Sequence, residues 1–178
     1  HCTKSGRKIK EENFDKIKEL HKELKFIKFE GTTGCGKTTY CNDKMELAHC
    51  VYISRDVVRY EIIKEEEDYF SHEKEVFREF VRRIVEAMTN GYDCIADATH
   101  LNQFSRRKLT QAIDMYTTDY KIIYVVFNVS ADTCVSRNAN RTGRANVPEN
   151  IIRNMCRDFR APSTDEDERV IDIIEVGE

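Results

Sequence analysis

The sequence is poor in the residues that dominate fibrous and disordered chains: of 178 residues only 7 are glycine and 2 are proline. That scarcity excludes a collagen-like repeat and a low-complexity chain. Long apolar runs are missing as well. The longest, Ile122 to Phe127, falls far short of the ~20 residues a membrane helix needs, and no secretory apolar region opens the chain. A soluble protein without a membrane partner is expected, cytoplasmic, or in the host-cell cytoplasm if phage-encoded. Seven cysteines are present, an odd count without a CxxC pair. This pattern suits free thiols in a reducing compartment better than a disulfide framework or zinc site. The five histidines show no HxxxH spacing, so no transition metal is expected. The chain begins at His1 rather than Met, as a trimmed protein or a piece of a longer one would.

A chain of this length can bury one core without a staple, which predicts a single compact domain. Its net charge of −3 provides no global field for holding a long duplex. The distribution is uneven. Residues 61–80 carry eight acids against three basic residues, and 161–178 carry seven against one, whereas 101–160 hold ten Lys/Arg and five Asp/Glu. A local basic stretch of this kind suits a small polyanion or a strand end; a solvated helical face is the plainer alternative.

Periodicity divides the chain. Phe14, Ile17, Leu20 and Leu24 recur at helical spacing in a basic leader, residues 1–25, predicting an amphipathic helix over about 11–24. From residue 26 to 178 strands alternate with helices. Strands are predicted at 26–30, 50–53, 92–96, 121–129 and 170–176. Helices are predicted from Thr38 to about Cys50, from Arg55 or Asp56 towards Glu66, and over 72–88, 102–116, 131–140 and 148–159. Ser71 is the expected cap of the third of these, and Asn90-Gly91 its end. The fold class this implies is α/β: a three-layer arrangement with a parallel sheet of about five strands, helices on both faces and a small helical lid near 135–148.

The strongest motif is Gly31-Thr32-Thr33-Gly34-Cys35-Gly36-Lys37-Thr38, followed by Thr39. It satisfies G-x-x-x-x-G-K-[ST] in full, after a predicted strand and before a predicted helix. Glycines let successive N–H groups curl around a phosphate, and the helix start adds partial positive charge. Lys37 can reach the β- and γ-phosphates, and the Thr38 hydroxyl can ligate Mg²⁺. ATP and Mg²⁺ are therefore the expected cofactors. A GTPase would also need N-K-x-D, which is absent.

Three further features lie in the loops after later strands, where open α/β sheets bind ligands. Ser54-Arg55-Asp56-Val57-Val58-Arg59 places a carboxylate to accept a hydroxyl proton, with Arg59 one turn on to hold an anionic group; Asp56 as a helix cap and Arg59 as a surface charge is the alternative. Asp97, at the end of the third strand, can orient Thr38 or a water on Mg²⁺. It precedes Thr99-His100-Leu101-Asn102, in which His100 is given no catalytic role. Arg137 and Arg141, four apart and on one face if helical, belong to a flap hinged at Gly143 that could neutralise the transferring phosphoryl group. A solvated basic helix end is the competing explanation.

With these features in order, the chain resembles the phage-type polynucleotide 5′-hydroxyl kinases, members of a wider set of small P-loop kinases with an adenylate-kinase-like fold. The likeness covers about residues 26–160 and rests most on Ser-Arg-Asp-x-x-Arg and on Arg-Asn-x-x-Arg followed by Val147-Pro148. The resemblance implies Asp56 as general base, Arg59 on the acceptor phosphate, Arg137 and Arg141 on the donor phosphates with Arg141 the more important, and Thr99 and Asn102 beside the acceptor. It also implies that the tail from Phe159 borders the adenine. Asp97 stands one residue further from Thr99 than in the best-known phage member of that family, and Cys35 replaces the usual Ser. The D-x-D-G-T of an attached phosphatase is absent, although a fused or partner repair domain is compatible with the family.

The leading expectation is ATP-dependent phosphorylation of a 5′-hydroxyl on RNA or DNA. The alternatives are a kinase of the same fold acting on a sugar, nucleoside or antibiotic hydroxyl, and a non-catalytic nucleotide-binding module. Oligomeric state is not readable from the sequence.

Overall fold

A computed structural model describes residues 26–32, 34–44, 50–143 and 146–177. Among these, strand β1 (Phe26–Glu30) leads to helix α1 (Lys37–Lys44), and β2 (Cys50–Ser54) runs directly into α2 (Arg55–Ile62). Helix α3 (Glu73–Thr89) precedes β3 (Asp93–Asp97), and α4 (Gln103–Asp114) precedes β4 (Ile122–Phe127). Helices α5 (Ala131–Ala139) and α6 (Glu149–Asp158) follow, then a 3-10 turn at Thr164–Glu166 and β5 (Val170–Val176).

The strands form one sheet in the order β2-β3-β1-β4-β5, and each neighbouring pair is parallel. Every carboxyl end therefore lies on the same edge. The connections from β1 run to one side of the sheet and those after β3 cross to the other, so the loop following β1 sits at the reversal, the usual ligand crevice of such sheets.

Both faces of the sheet are buried, which explains the apolar run at 122–127. Along β4, Ile122, Tyr124 and Val126 join one cluster with Phe80, Ile84 and Leu109 from α3 and α4. The alternate residues Ile123, Val125 and Phe127 join a second cluster with Tyr40, Cys134 and Ile152 from α1, α5 and α6. A period of two along a strand distributes side chains this way, and only a fully covered strand can be apolar at every position.

Several expected boundaries shift for physical reasons. Helix α2 stops at Ile62 because Ile63 turns extended, four residues short of Glu66. Ser71 does not cap α3: its hydroxyl donates to the Asp68 carbonyl, and His72, at φ 61°, holds the cap position. The far end matches expectation, with Asn90 capping α3 and Gly91 at φ 83°. Helix α5 ends at Ala139, so Arg141 lies beyond it and does not share a helical face with Arg137. The leader and Thr33 fall outside the described residues, as do positions 45–49, where the helix expected after Thr38 would continue.

Phe80 is completely buried between α3 and the sheet. Phe80→Ala should lower unfolding free energy by about 3–5 kcal/mol, through lost transfer energy and the cavity left behind. Urea denaturation followed by circular dichroism measures it.

Candidate active site

The loop between β1 and α1 takes its shape from a close approach. Gly34 has φ 86°, and a Cβ there would stand 2.5 Å from the Cys134 carbonyl oxygen of α5. No side chain fits at that distance, and L residues rarely adopt that φ. The lysine of the loop is folded onto its own backbone. Lys37 Nζ donates to the carbonyl oxygens of Gly31 and Thr32 at 2.9 and 3.0 Å and lies 3.6 Å from Cys35 Sγ. Burial would lower its pKa, but Cys35, Asp97 and Asp56 favour the ammonium and hold it above the ordinary lysine value. A protonated Lys37 at neutral pH is what a polyphosphate requires.

From the α5 side, Arg137 donates to the Cys35 carbonyl at 3.1 Å, placing a guanidinium on the outside of the loop. Asn138, buried beside it, fixes the following segment: its amide donates to the Val147 carbonyl at 2.7 Å and to Asn146 Oδ1 at 2.9 Å, and its Oδ1 accepts from the Val147 N–H at 3.1 Å. Asn146 and Val147 are thus tied to the side chain at the end of α5, and the segment 139–143 leaves from the same place. Half-buried Arg141 and left-handed Gly143, at φ 60°, lie within it. The motif Arg-Asn-x-x-Arg contains Asn138, but only its arginines were given roles; the partners of Asn138 are the Asn146 side chain and the Val147 backbone, eight and nine residues on.

Asp97 is buried at the tip of β3 and accepts from Tyr52 OH at 2.6 Å and from Thr38 Oγ1 at 3.4 Å. Register explains the meeting: β2 and β3 pair Ser54 with Asp97, so Tyr52 reaches up from two residues below. Nothing local in the sequence marks Tyr52. Thr38 and Thr39 are exposed in the first turn of α1.

The carboxylate beyond β2 is not the helix cap. Ser54 occupies that position, its Oγ facing the Val57 N–H at 3.5 Å, which leaves Asp56 with its side chain 66% exposed. Asp56 Oδ1 accepts from Tyr69 OH at 2.8 Å and Arg59 Nη1 at 2.9 Å. Burial first, then the charge of Asp56, raises the Tyr69 phenol well above its usual range, so it remains a donor. Arg59 is buried and heavily engaged. Its Nε donates to Glu73 Oε1 at 3.0 Å, its Nη2 to the same oxygen, its Nη1 to Tyr69 OH at 2.9 Å, and its guanidinium lies 4.4 Å from the Tyr69 ring centre. The second oxygen of Glu73 accepts from Arg55 at 2.7 Å. Glu73 and Tyr69 were not anticipated, because no spacing rule links a helix to residues 10 and 14 positions later across an irregular loop.

Of the remaining expected residues, Thr99 is half-buried between β3 and α4. Asn102 caps α4, its Oδ1 accepting from the Ser105 N–H at 3.0 Å while the Ser105 hydroxyl faces the Asn102 N–H. The tail is anchored nearby. Fully buried Arg106 binds both oxygens of Glu166 and the carbonyls of His100 and Arg160.

A family model described as an AAA domain matches residues 27–162. That span is well over half of the chain, which therefore belongs to this family. Solved structures share the fold. A chain of the Pnkp1/Rnl/Hen1 RNA repair complex superposes with a TM-score of 0.66 at 19% identity, covering 76% of this chain and 44% of its own length. The present chain thus spans less than half of that protein. A sugar kinase from Janibacter sp. HTCC2649 gives 0.61 at 15% identity, covering 86% and 85%. The tunicamycin resistance protein of Deinococcus radiodurans gives 0.55 at 14% identity, covering 84% and 86%. The fold is accordingly that of the P-loop kinases, which implies nucleotide binding. No helix among the described residues is long and apolar enough to cross a membrane.

Gly34→Ala should weaken ATP binding at least about tenfold, since the loop must withdraw from Cys134 and leave its anion-binding shape. Isothermal titration with ATP measures the loss.

Proposed function

We propose that the chain transfers the γ-phosphate of ATP to the 5′-hydroxyl end of RNA or DNA. The observation that carries this reading is Asp56: an exposed carboxylate past the tip of β2, on the same sheet edge as the glycine-rich loop and close enough to favour the Lys37 ammonium. The hydroxyl oxygen attacks the γ-phosphorus, the bond to the β-phosphate oxygen breaks, ADP leaves, and Asp56 takes the hydroxyl proton. In this reading Lys37, Arg137 and Arg141 offset charge on the phosphates, the segment 135–148 is the lid over them, and Thr99 and Asn102 border the acceptor. The loop amides of Gly31 to Thr39 seat the triphosphate. Mg²⁺ fits the oxygen pair of Thr38 and Asp97, hard ligands 3.4 Å apart. When bound it neutralises charge on the transferring group.

Support for a nucleic-acid end comes from Arg55 and Arg59 flanking Asp56, from the basic stretch 101–160, and from the likeness to a chain of an RNA repair complex. A separate repair domain, fused or partnered, and a cytoplasmic setting accord with it. One observation favours a second reading. Glu73 is already ion-paired with both Arg55 and Arg59, and an uncharged sugar or other small-molecule hydroxyl would leave that pairing undisturbed.

Two variants test the assignment. Lys37→Ala and Asp56→Ala should each reduce transfer by at least about 10²-fold, the range of a lost general base or charge clamp, while only Lys37→Ala greatly weakens ATP binding. Near-normal turnover in Asp56→Ala would remove Asp56 as base. The acceptor is read by incubating the protein with γ-labelled ATP and a panel of 5′-hydroxyl RNA, 5′-hydroxyl DNA, nucleosides and sugars. Label on oligonucleotide ends supports the first reading, and label on sugars alone the second.

A further inference from the structure

Next to Asp56 stands a group of aromatic rings for which the transfer step has no use. Tyr69 is fixed by its hydrogen bond to Asp56 and by the Arg59 guanidinium over its ring. Around it, Phe70 lies edge-to-face at 5.1 Å and Tyr60 at 6.2 Å. Phe70 is 63% exposed; Tyr60 and Val57 of α2 are also exposed. Core packing does not explain Phe70, because most of its surface faces water.

The turn that carries Phe70 is ordered. Asp68 Oδ1 accepts from the Phe70 N–H at 2.8 Å, and the Asp68 carbonyl accepts from Ser71 N–H and Oγ at 2.9 and 2.6 Å. These bonds fix the backbone at Phe70, whose ring makes its edge contact with Tyr69 and otherwise faces water; exposing it costs hydration free energy that a stacked partner would recover. An exposed aromatic face beside ion-paired, hydrogen-bonded arginines offers the kind of stacking surface on which proteins hold single-stranded nucleic acid with sequence-tolerant affinity.

We infer that Phe70, backed by Tyr69 and Tyr60, is the stacking platform for the nucleobase at the 5′ end of the acceptor strand, positioned while its 5′-hydroxyl meets Asp56. This rests on the polynucleotide reading above. It adds that the base itself is held, through its π-face rather than its edges, so the enzyme discriminates little between bases. A free sugar has no such face to offer.

The test compares KM for two 5′-hydroxyl oligonucleotides, one with adenosine as its first residue and one with an abasic first residue. The wild type should favour the base-bearing acceptor about tenfold or more. In Phe70→Ala that ratio should collapse towards one. Phe70→Trp should keep it, and Phe70→Leu, apolar but without a π-face, should lose most of it. Because Phe70 is mostly exposed, folding is checked by thermal melting and by ATP affinity in each variant. A wild type that phosphorylates both acceptors with equal KM, or a ratio that survives in Phe70→Ala, overturns the platform and leaves the polynucleotide reading standing. If Phe70→Ala instead raises KM for a base-free sugar, the rings serve a small-molecule acceptor. A wild type that phosphorylates no nucleic-acid end at all removes the polynucleotide reading and this inference together.

Discussion

Everything in the site depends on parallel pairing. β1 is held between β3 and β4 in parallel register, and β2 pairs β3 in the same direction. Parallel strands present all their carboxyl ends to one edge, so residues separated by a hundred positions converge there. Gly34 from the first loop abuts Cys134 of α5, and Arg137, one turn further on, reaches the same loop at Cys35. Reversing any one of these strands would send its following loop to the opposite edge. The interior supports this arrangement by burying both faces of β4, where alternate residues serve two separate clusters.

Charge is arranged in pairs rather than left open. Lys37 rests on carbonyls of its own loop, and Arg55 and Arg59 share Glu73. Buried cations without partners are costly, so a site meant for anions keeps its cations satisfied by groups that a phosphate can displace. Lys37 meets this description with two neutral carbonyls, which a polyphosphate can outcompete. Arg59 does not meet it so simply, because its partner is a carboxylate. Under the proposed function, that contrast makes the donor side of the site chemically plainer than the acceptor side.

Much of the fold could be read from the residues. The β1 and β5 spans, Phe26–Glu30 and Val170–Val176, agree with their periodicity, since β-branched and aromatic runs bounded by polar turns leave little choice. Local chemistry set the ends less predictably. Ile63 turning extended shortened α2, and an Asp68-centred turn took Ser71 away from α3. Within the site, the glycine-rich loop was legible because its function imposes a fixed local spacing. Tyr52, Tyr69 and Glu73 were not, because each acts on a partner that neighbouring elements bring close and that no short motif encodes.

The sequence alone determined the phosphate loop, the alternation of strands and helices, and the absence of any long apolar span, because each depends on neighbours within a few residues of one another. The tertiary structure alone decided that Ser54 rather than Asp56 caps α2, that Arg141 leaves the helix carrying Arg137, and that Glu73 closes on Arg59. Those outcomes follow from strand register and helix termination, where competing local options differ by about 1 kcal/mol and distant packing selects among them.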